Sequence, residues 1–149
     1  MYAPINFFEI IRDYFNHMQE DLKPVPFVNT LIVFPLLLTC IFIKNIEVLY
    51  DTIVIVSTIV TVLMMNLQVM LYFVKIEESD YLSHLHSTIS MTAFTAFFLL
   101  ILSLVGSSHI LFKLLTSYTC GFLLVNILIS LVRIHRLIRH EIRKLSEQF

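Results

Sequence analysis

Tryptophan is missing from this 149-residue chain, glycine occurs only as Gly106 and Gly121, and charged residues make up 14% of it. A soluble domain of ordinary composition carries about 25% charged residues. Hydrophobic residues reach 58%, more apolar surface than a single soluble core of this length can hide. The remaining solvent is lipid, so the chain reads as an integral membrane protein. No glycine-rich phosphate loop, nucleophile motif or catalytic dyad is present, and no enzyme activity is expected. The opening "MYAPINFFEIIRDYFNHMQEDLKPVP" mixes charges with aromatics. It lacks the apolar stretch and small-residue cleavage site of a signal peptide. The two cysteines, Cys40 and Cys120, fall inside apolar segments and read as buried free thiols.

What is abundant is apolar sequence in blocks. Four segments stand out, at 27–43, 52–74, 87–106 and 111–132. The first is short for a span and carries Pro35, which should bend it. The second lies between Asp51 and Lys75 and contains no charge. The fourth has Lys113 near its start, where a long aliphatic stem lets the ammonium reach the interface. None of the four alternates with a two-residue period, so helices are expected and a barrel is not. The links are short, which makes sequential helices antiparallel neighbours in one four-helix domain spanning 27–132. The acidic "EESD" at 77–80 reads as a loop kept in water by its charge. Residues 1–26 form a separate segment in which Ile5, Phe8, Ile11 and Phe15 recur at helical spacing. It reads as an amphipathic helix at the membrane interface, broken by "KPVP" before the first span.

Cation counts orient the bundle. Four spans place both termini and the middle loop on one side, with Arg12, Lys23, Lys75 and five tail cations, against Lys44 and Lys113 on the other. The richer side is expected in the cytoplasm of a bacterial inner membrane.

Six histidines invite a metal or haem reading. None lies at depth in a span, and "HLH" at 84–86 has no cysteine nearby, so no metal and no cofactor are assigned; the histidines read as interfacial. The uncharged polar residues within the spans carry more information. Ser57, Thr61, Asn66 and Gln68 mark the second span, and Thr119 and Asn126 the fourth. Polar side chains in lipid turn towards protein or water. One reading is hydrogen bonding inside the bundle; the other makes these six the lining of a water-filled pore. A lone four-helix bundle is too narrow to conduct, so a pore requires a homo-oligomer.

The tail, 133–149, holds half of the ten lysines and arginines. On a helical projection Arg133, Arg136, Arg139, His140, Arg143 and Lys144 fill one arc, with isoleucines and leucines on the other. No glycine or proline separates this basic helix from the last span. It can act as an anchor on anionic lipid, at about 1 kcal/mol per cation. It can also receive an anionic ligand, since the guanidinium fork suits phosphate.

The order of parts resembles a known type. "FFEIIRDYFNHMQED" precedes a first span with a proline, "LIVFPLLLTCIFI". Then come "LYDTIVIVSTIVTVLMMNLQVMLYFVKIEES", two more spans and a basic tail. This layout is similar to the small four-span membrane proteins of bacterial anti-phage defence, namely Rex-type exclusion proteins and Hailong-type effectors. The latter resemblance implies a homo-oligomeric channel controlled by a nucleic-acid oligomer, made by a partner nucleotidyltransferase, that depolarises the infected cell. It supplies no site residues; the six tail residues as ligand contacts rest on charge alone. The expectation is therefore an all-α, four-span pore-forming effector of abortive infection. The alternative is a non-conducting anchor that recruits a soluble partner.

Overall fold

Four stretches of the chain are long and apolar enough to cross a membrane: Val25–Phe42, Ile46–Phe73, Leu82–Val105 and Ile110–Lys144. They belong to a computed structural model that describes residues 7–73, 80–106 and 109–147. Ile5, Lys75, Glu77, Glu78 and Ser79 lie outside the described residues. Every regular element among the described residues is helical: α1 (Phe7–Asp21), α2 (Pro24–Val28), α3 (Phe34–Phe42), α4 (Ile46–Phe73), α5 (Asp80–Val105) and α6 (Ile110–Glu147). A π-helical turn, Asn29–Val33, joins α2 to α3 so that the first span is one continuous helix.

Pro35 explains that turn. A proline has no N–H to give and its ring crowds the carbonyl four residues back. Here the helix widens just before the proline, and the Phe34 N–H bonds the carbonyl of Asn29, five residues away. The carbonyl of Leu31, which an N–H at residue 35 would ordinarily satisfy, accepts instead from the Tyr118 hydroxyl of α6 at 3.3 Å. The expected bend therefore takes the form of a widened turn repaired by a neighbouring helix. Tyr118→Phe should cost about 1 kcal/mol, because it removes one bond from a carbonyl with no water to turn to. Reversible unfolding in mixed micelles measures this; an unshifted midpoint would show that another donor takes over.

The same proline lies at a close approach between α3 and α6. Gly121 of α6 packs directly on it: a Cβ added there would sit 2.9 Å from the Pro35 carbonyl oxygen and 3.3 Å from its Cα. Glycine lets two backbones meet at a distance no other residue permits.

The helices are arranged around α5 and α6, with α4 packed on α5 and α3 on α6. Coverage differs sharply between them. In the most apolar window of α5, 56% of residues are buried, against 11% in that of α4. α5 is therefore the central helix, and α4 keeps most of its surface for lipid or for another copy. The core is filled by Ile46, Ile53, Ala96, Leu99 and Leu123 towards one end. Towards the other, Leu85, Ile89 and Leu137 pack with Leu67 and Ile134. At the first of these ends Lys113 does not simply extend to water; its ammonium pairs with Glu47 at 2.7 Å, joining the starts of α6 and α4. Cys40, expected to be buried, lies on the exposed side of α3, while Cys120 is half-buried. Position within an apolar segment does not imply burial when lipid, not protein, covers the outer face.

α1 turns a second face towards the protein. Phe8 is 82% exposed, whereas Tyr14 and Met18 are fully covered, packed with Leu31, Met91, Ile11 and Leu22. The buried stripe is Ile11, Tyr14, Met18 and Leu22, rotated from the one that counts only isoleucine and phenylalanine. The rotation follows from what α1 packs against: it docks on α5 and offers its tyrosine hydroxyl to a polar group of α6 instead of lying free at an interface.

Candidate functional site at the meeting of α1, α5 and α6

Arg133 is the first charge after the last apolar run, and it is buried. Its side chain is only 6% exposed, although it opens a tail that otherwise points outward. A buried guanidinium must be paired and hydrogen-bonded. Its Nη2 donates to Asp21 Oδ2 at 2.6 Å and lies 3.4 Å from Met18 Sδ. Its Nη1 donates to the His84 carbonyl at 2.5 Å and to the Thr88 hydroxyl. Asp21 ends α1, Thr88 and His84 lie in the first turns of α5, and Arg133 belongs to α6. One side chain thus ties three helices together.

The cluster extends outward from Asp21. Its second oxygen, Oδ1, lies 3.2 Å from Nδ1 of His84, and the other ring nitrogen of His84 lies 3.2 Å from Glu20 Oε2. The His17 ring lies against that of His84, with centroids 4.3 Å apart. His17 Nδ1 is 2.9 Å from the Ser87 hydroxyl, and its Nε2 is 3.5 Å from that of Ser83. Burial, followed by the nearby charge of His84, lowers the His17 pKa below the usual histidine range, so His17 is neutral near pH 7. One turn deeper, the Tyr14 hydroxyl donates to Asn126 Oδ1 at 2.5 Å, and the Asn126 amide donates to the Phe122 carbonyl at 2.9 Å. Burial raises the tyrosine's pKa well above its ordinary value.

Two cavities border the cluster. A recess of about 20 Å³, room for roughly one water or small ion, is lined by Asp21, His84, Arg133 and Arg136. A groove of about 200 Å³ runs beside it, with Leu22, Thr30, Leu128 and Val132 as its apolar walls and Arg136 at its rim.

The residues singled out in the sequence separate into distinct groups. Ser57 is fully buried and bonds the carbonyl of Ile53 at 2.6 Å. Thr119 is buried and bonds that of Leu115. Asn126 is committed to Tyr14 and Phe122. Gln68 reaches across to the Ser90 hydroxyl of α5 at 2.5 Å, and the half-buried Thr61 bonds the carbonyl of Ser57. Asn66 stands apart, exposed on the outer face of α4. Of the tail residues, Arg133 is spent inside the bundle. Arg136, Arg139 and Arg143 are exposed, and His140 and Lys144 are half-buried around Glu141, at 3.5 and 4.0 Å from its Oε1. Asp21, Glu20, His17, His84 and Tyr14 form the centre of the cluster, and sequence reasoning had not joined them. The available signal was chemical: an arginine at the foot of an apolar helix needs an acid, and Asp21 follows a helix that ends beside a span.

Neither a protein-family model, nor a curated protein, nor a solved structure matches the chain.

Proposed function

We propose that the chain is a membrane effector of bacterial anti-phage defence, a homo-oligomer in the cytoplasmic membrane with both termini inside the cell. In this reading it opens a pore that depolarises the membrane, and an anionic cytoplasmic ligand such as an oligonucleotide, supplied by a partner nucleotidyltransferase, controls it. The observation that carries the reading is Asn66, a carboxamide on the exposed, apolar face of α4. An amide left facing hydrocarbon is costly, and it gains by meeting protein or water. Copies joined through α4 would bring Asn66 together around an axis. Ser57, Thr119 and Asn126 face into the single bundle, so the pore of this proposal lies between subunits.

The ligand-binding part rests on the length of α6. Its 38 residues span about 57 Å at 1.5 Å per residue, whereas the hydrocarbon core is about 30 Å thick. Several turns therefore project from the membrane carrying Arg136, Arg139 and Arg143. Seven of the described cations stand at this end of the bundle, namely Arg12, Lys23, Arg133, Arg136, Arg139, Arg143 and Lys144, with Lys44 and Lys113 opposite, which supports a cytoplasmic α1 and tail.

The alternative, a non-conducting anchor for a soluble partner, draws support from the polar groups of the spans that bond within the bundle. Ion flux from liposomes separates the two. The pore reading expects an oligomer in detergent, flux across the liposome membrane, and loss of most of that flux in Asn66→Leu. A monomer that passes no ions with or without oligonucleotide would leave the anchor. Replacing Arg136, Arg139 and Arg143 together by glutamate is expected to abolish retention of a single-stranded oligonucleotide at low salt. Retention by the parent should itself fall steeply as salt rises.

A further inference from the structure

We infer that His17, Glu20 and His84 form a binding site for a divalent transition-metal ion, zinc by preference, that clamps α1 to α5. His17 and Glu20 are three residues apart on α1 and so share a face; His84 faces them from α5. One donor atom from each lies within 4.8 Å of the other two.

The hydrogen bonds show which atoms are available. The Ser87 hydroxyl has one proton, and it goes to the His84 carbonyl at 3.0 Å. With the Ser87 hydroxyl donating there, it accepts from His17 Nδ1 at 2.9 Å, and in that tautomer the His17 lone pair is on Nε2. Asp21 Oδ1 can only accept, which in the same way places a proton on Nδ1 of His84. His84 Nε2 faces the Glu20 carboxylate at 3.2 Å. The Nε2 of His17 stands beside them, 3.5 Å from the Ser83 hydroxyl, so that the three donors converge on one place that a metal ion can occupy.

The donor set is the two-histidine, one-carboxylate combination that holds zinc with a fourth position open. Tetrahedral bonds of about 2.0–2.1 Å require donors roughly 3.3 Å apart, so the more widely spaced donors must close in on one another, and the exposed Glu20 can follow. Each histidine is also held at its far nitrogen by an oxygen, the arrangement that orients ligating imidazoles. Imidazole donors select against magnesium and calcium.

Untagged full-length protein in detergent, stripped with a chelator, is titrated with zinc chloride against a chromophoric competitor, and its metal content is measured after desalting. One zinc per chain is expected. Glu20→Gln should abolish retention, and its exposed side chain makes it the variant least able to disturb the fold. His17→Ala should do the same, while His86→Ala, exposed on another face of α5, should bind as the parent does. Ser87→Ala should weaken binding about tenfold by freeing the His17 ring. Cobalt in place of zinc should give the visible absorption of a four-coordinate site. Failure to retain zinc would overturn the inference. So would retention unchanged in both Glu20→Gln and His17→Ala.

Discussion

Asp21→Leu is expected to be among the most damaging single substitutions in the chain, at about 3 kcal/mol. The cost comes less from the lost bond than from what stays behind: Arg133 keeps its charge with only 6% of its side chain exposed. Removing one partner of a buried ion pair typically costs 3–5 kcal/mol, and the partial exposure of Asp21, 26% of its side chain, puts this case at the lower end. Removing both charges should cost much less, because no ion is then left unpaired. Asp21→Leu combined with Arg133→Met is thus expected to recover most of the loss. Unfolding in mixed micelles, run as a double-mutant cycle, measures the coupling. If the single variant matches the parent, or the double is no better than the sum of its parts, the pair does not hold α1 in place. The same cycle bears on the tail, since Arg133 spent on Asp21 is not available to a ligand, whereas Arg136 is.

Gly121→Leu should be worse still. The nearest atom to the added carbon is backbone, the Pro35 carbonyl oxygen at 2.9 Å, followed by Leu38 Cβ at 3.2 Å and Pro35 Cα at 3.3 Å. A side chain could rotate away; a main chain can yield only if α3 leaves α6. Alanine gives the cleaner measurement. In an exposed helix Gly→Ala gains about 1 kcal/mol, so a net loss of about 1–2 kcal/mol at Gly121 would show that the collision exceeds that gain by the usual cost of overpacking. Gly121→Leu is expected to give no folded protein after detergent extraction. Wild-type yield and stability for Gly121→Ala would mean that the two helices stand further apart than described here.

Both predictions depend on features that the sequence carries unevenly. The four spans are legible because each is a continuous apolar block, and the solvent that selects them acts on every residue in it. Pro35 is legible as a disturbance, since a missing N–H is a local fact. Its remedy is not: the bond from Tyr118 to the Leu31 carbonyl, and the contact with Gly121, join segments with no shared period. Ser57 shows the same limit. Its polar character in an apolar helix is plain, yet that character is equally compatible with a pore and with its actual bond to the carbonyl of Ile53. Arg133 was the harder case. A helical projection places it on the same arc as Arg136, Arg139 and Arg143, and nothing local separates it from them. Only the position of Asp21 does so, and that is set by how α1 docks. The protein-facing side of α1 was not legible for a related reason: Tyr14 and Met18 count as weak apolar residues until a buried acceptor, Asn126, and a neighbouring helix give them a place.

The bonds from α1 to α6 also constrain the order in which the protein can be completed. Tyr14 and Asn126 are separated by 112 positions in the chain, as are Asp21 and Arg133. A ribosome adding about 5–20 residues per second needs roughly 6–22 s to cover that interval, during which α1 is already made and its partners are not. Through that time the helix can dock on nothing of α6, and its tyrosine, aspartate and histidine stay in the watery layer beside the membrane. Docking then closes on the last span to be inserted. The Asp21–Arg133 pair can form only in a chain whose fourth helix has arrived with its foot on the same side as α1. A bundle with one span missing or reversed would leave the acid and the arginine unpaired on opposite sides of the membrane, so this contact marks complete and correctly oriented insertion.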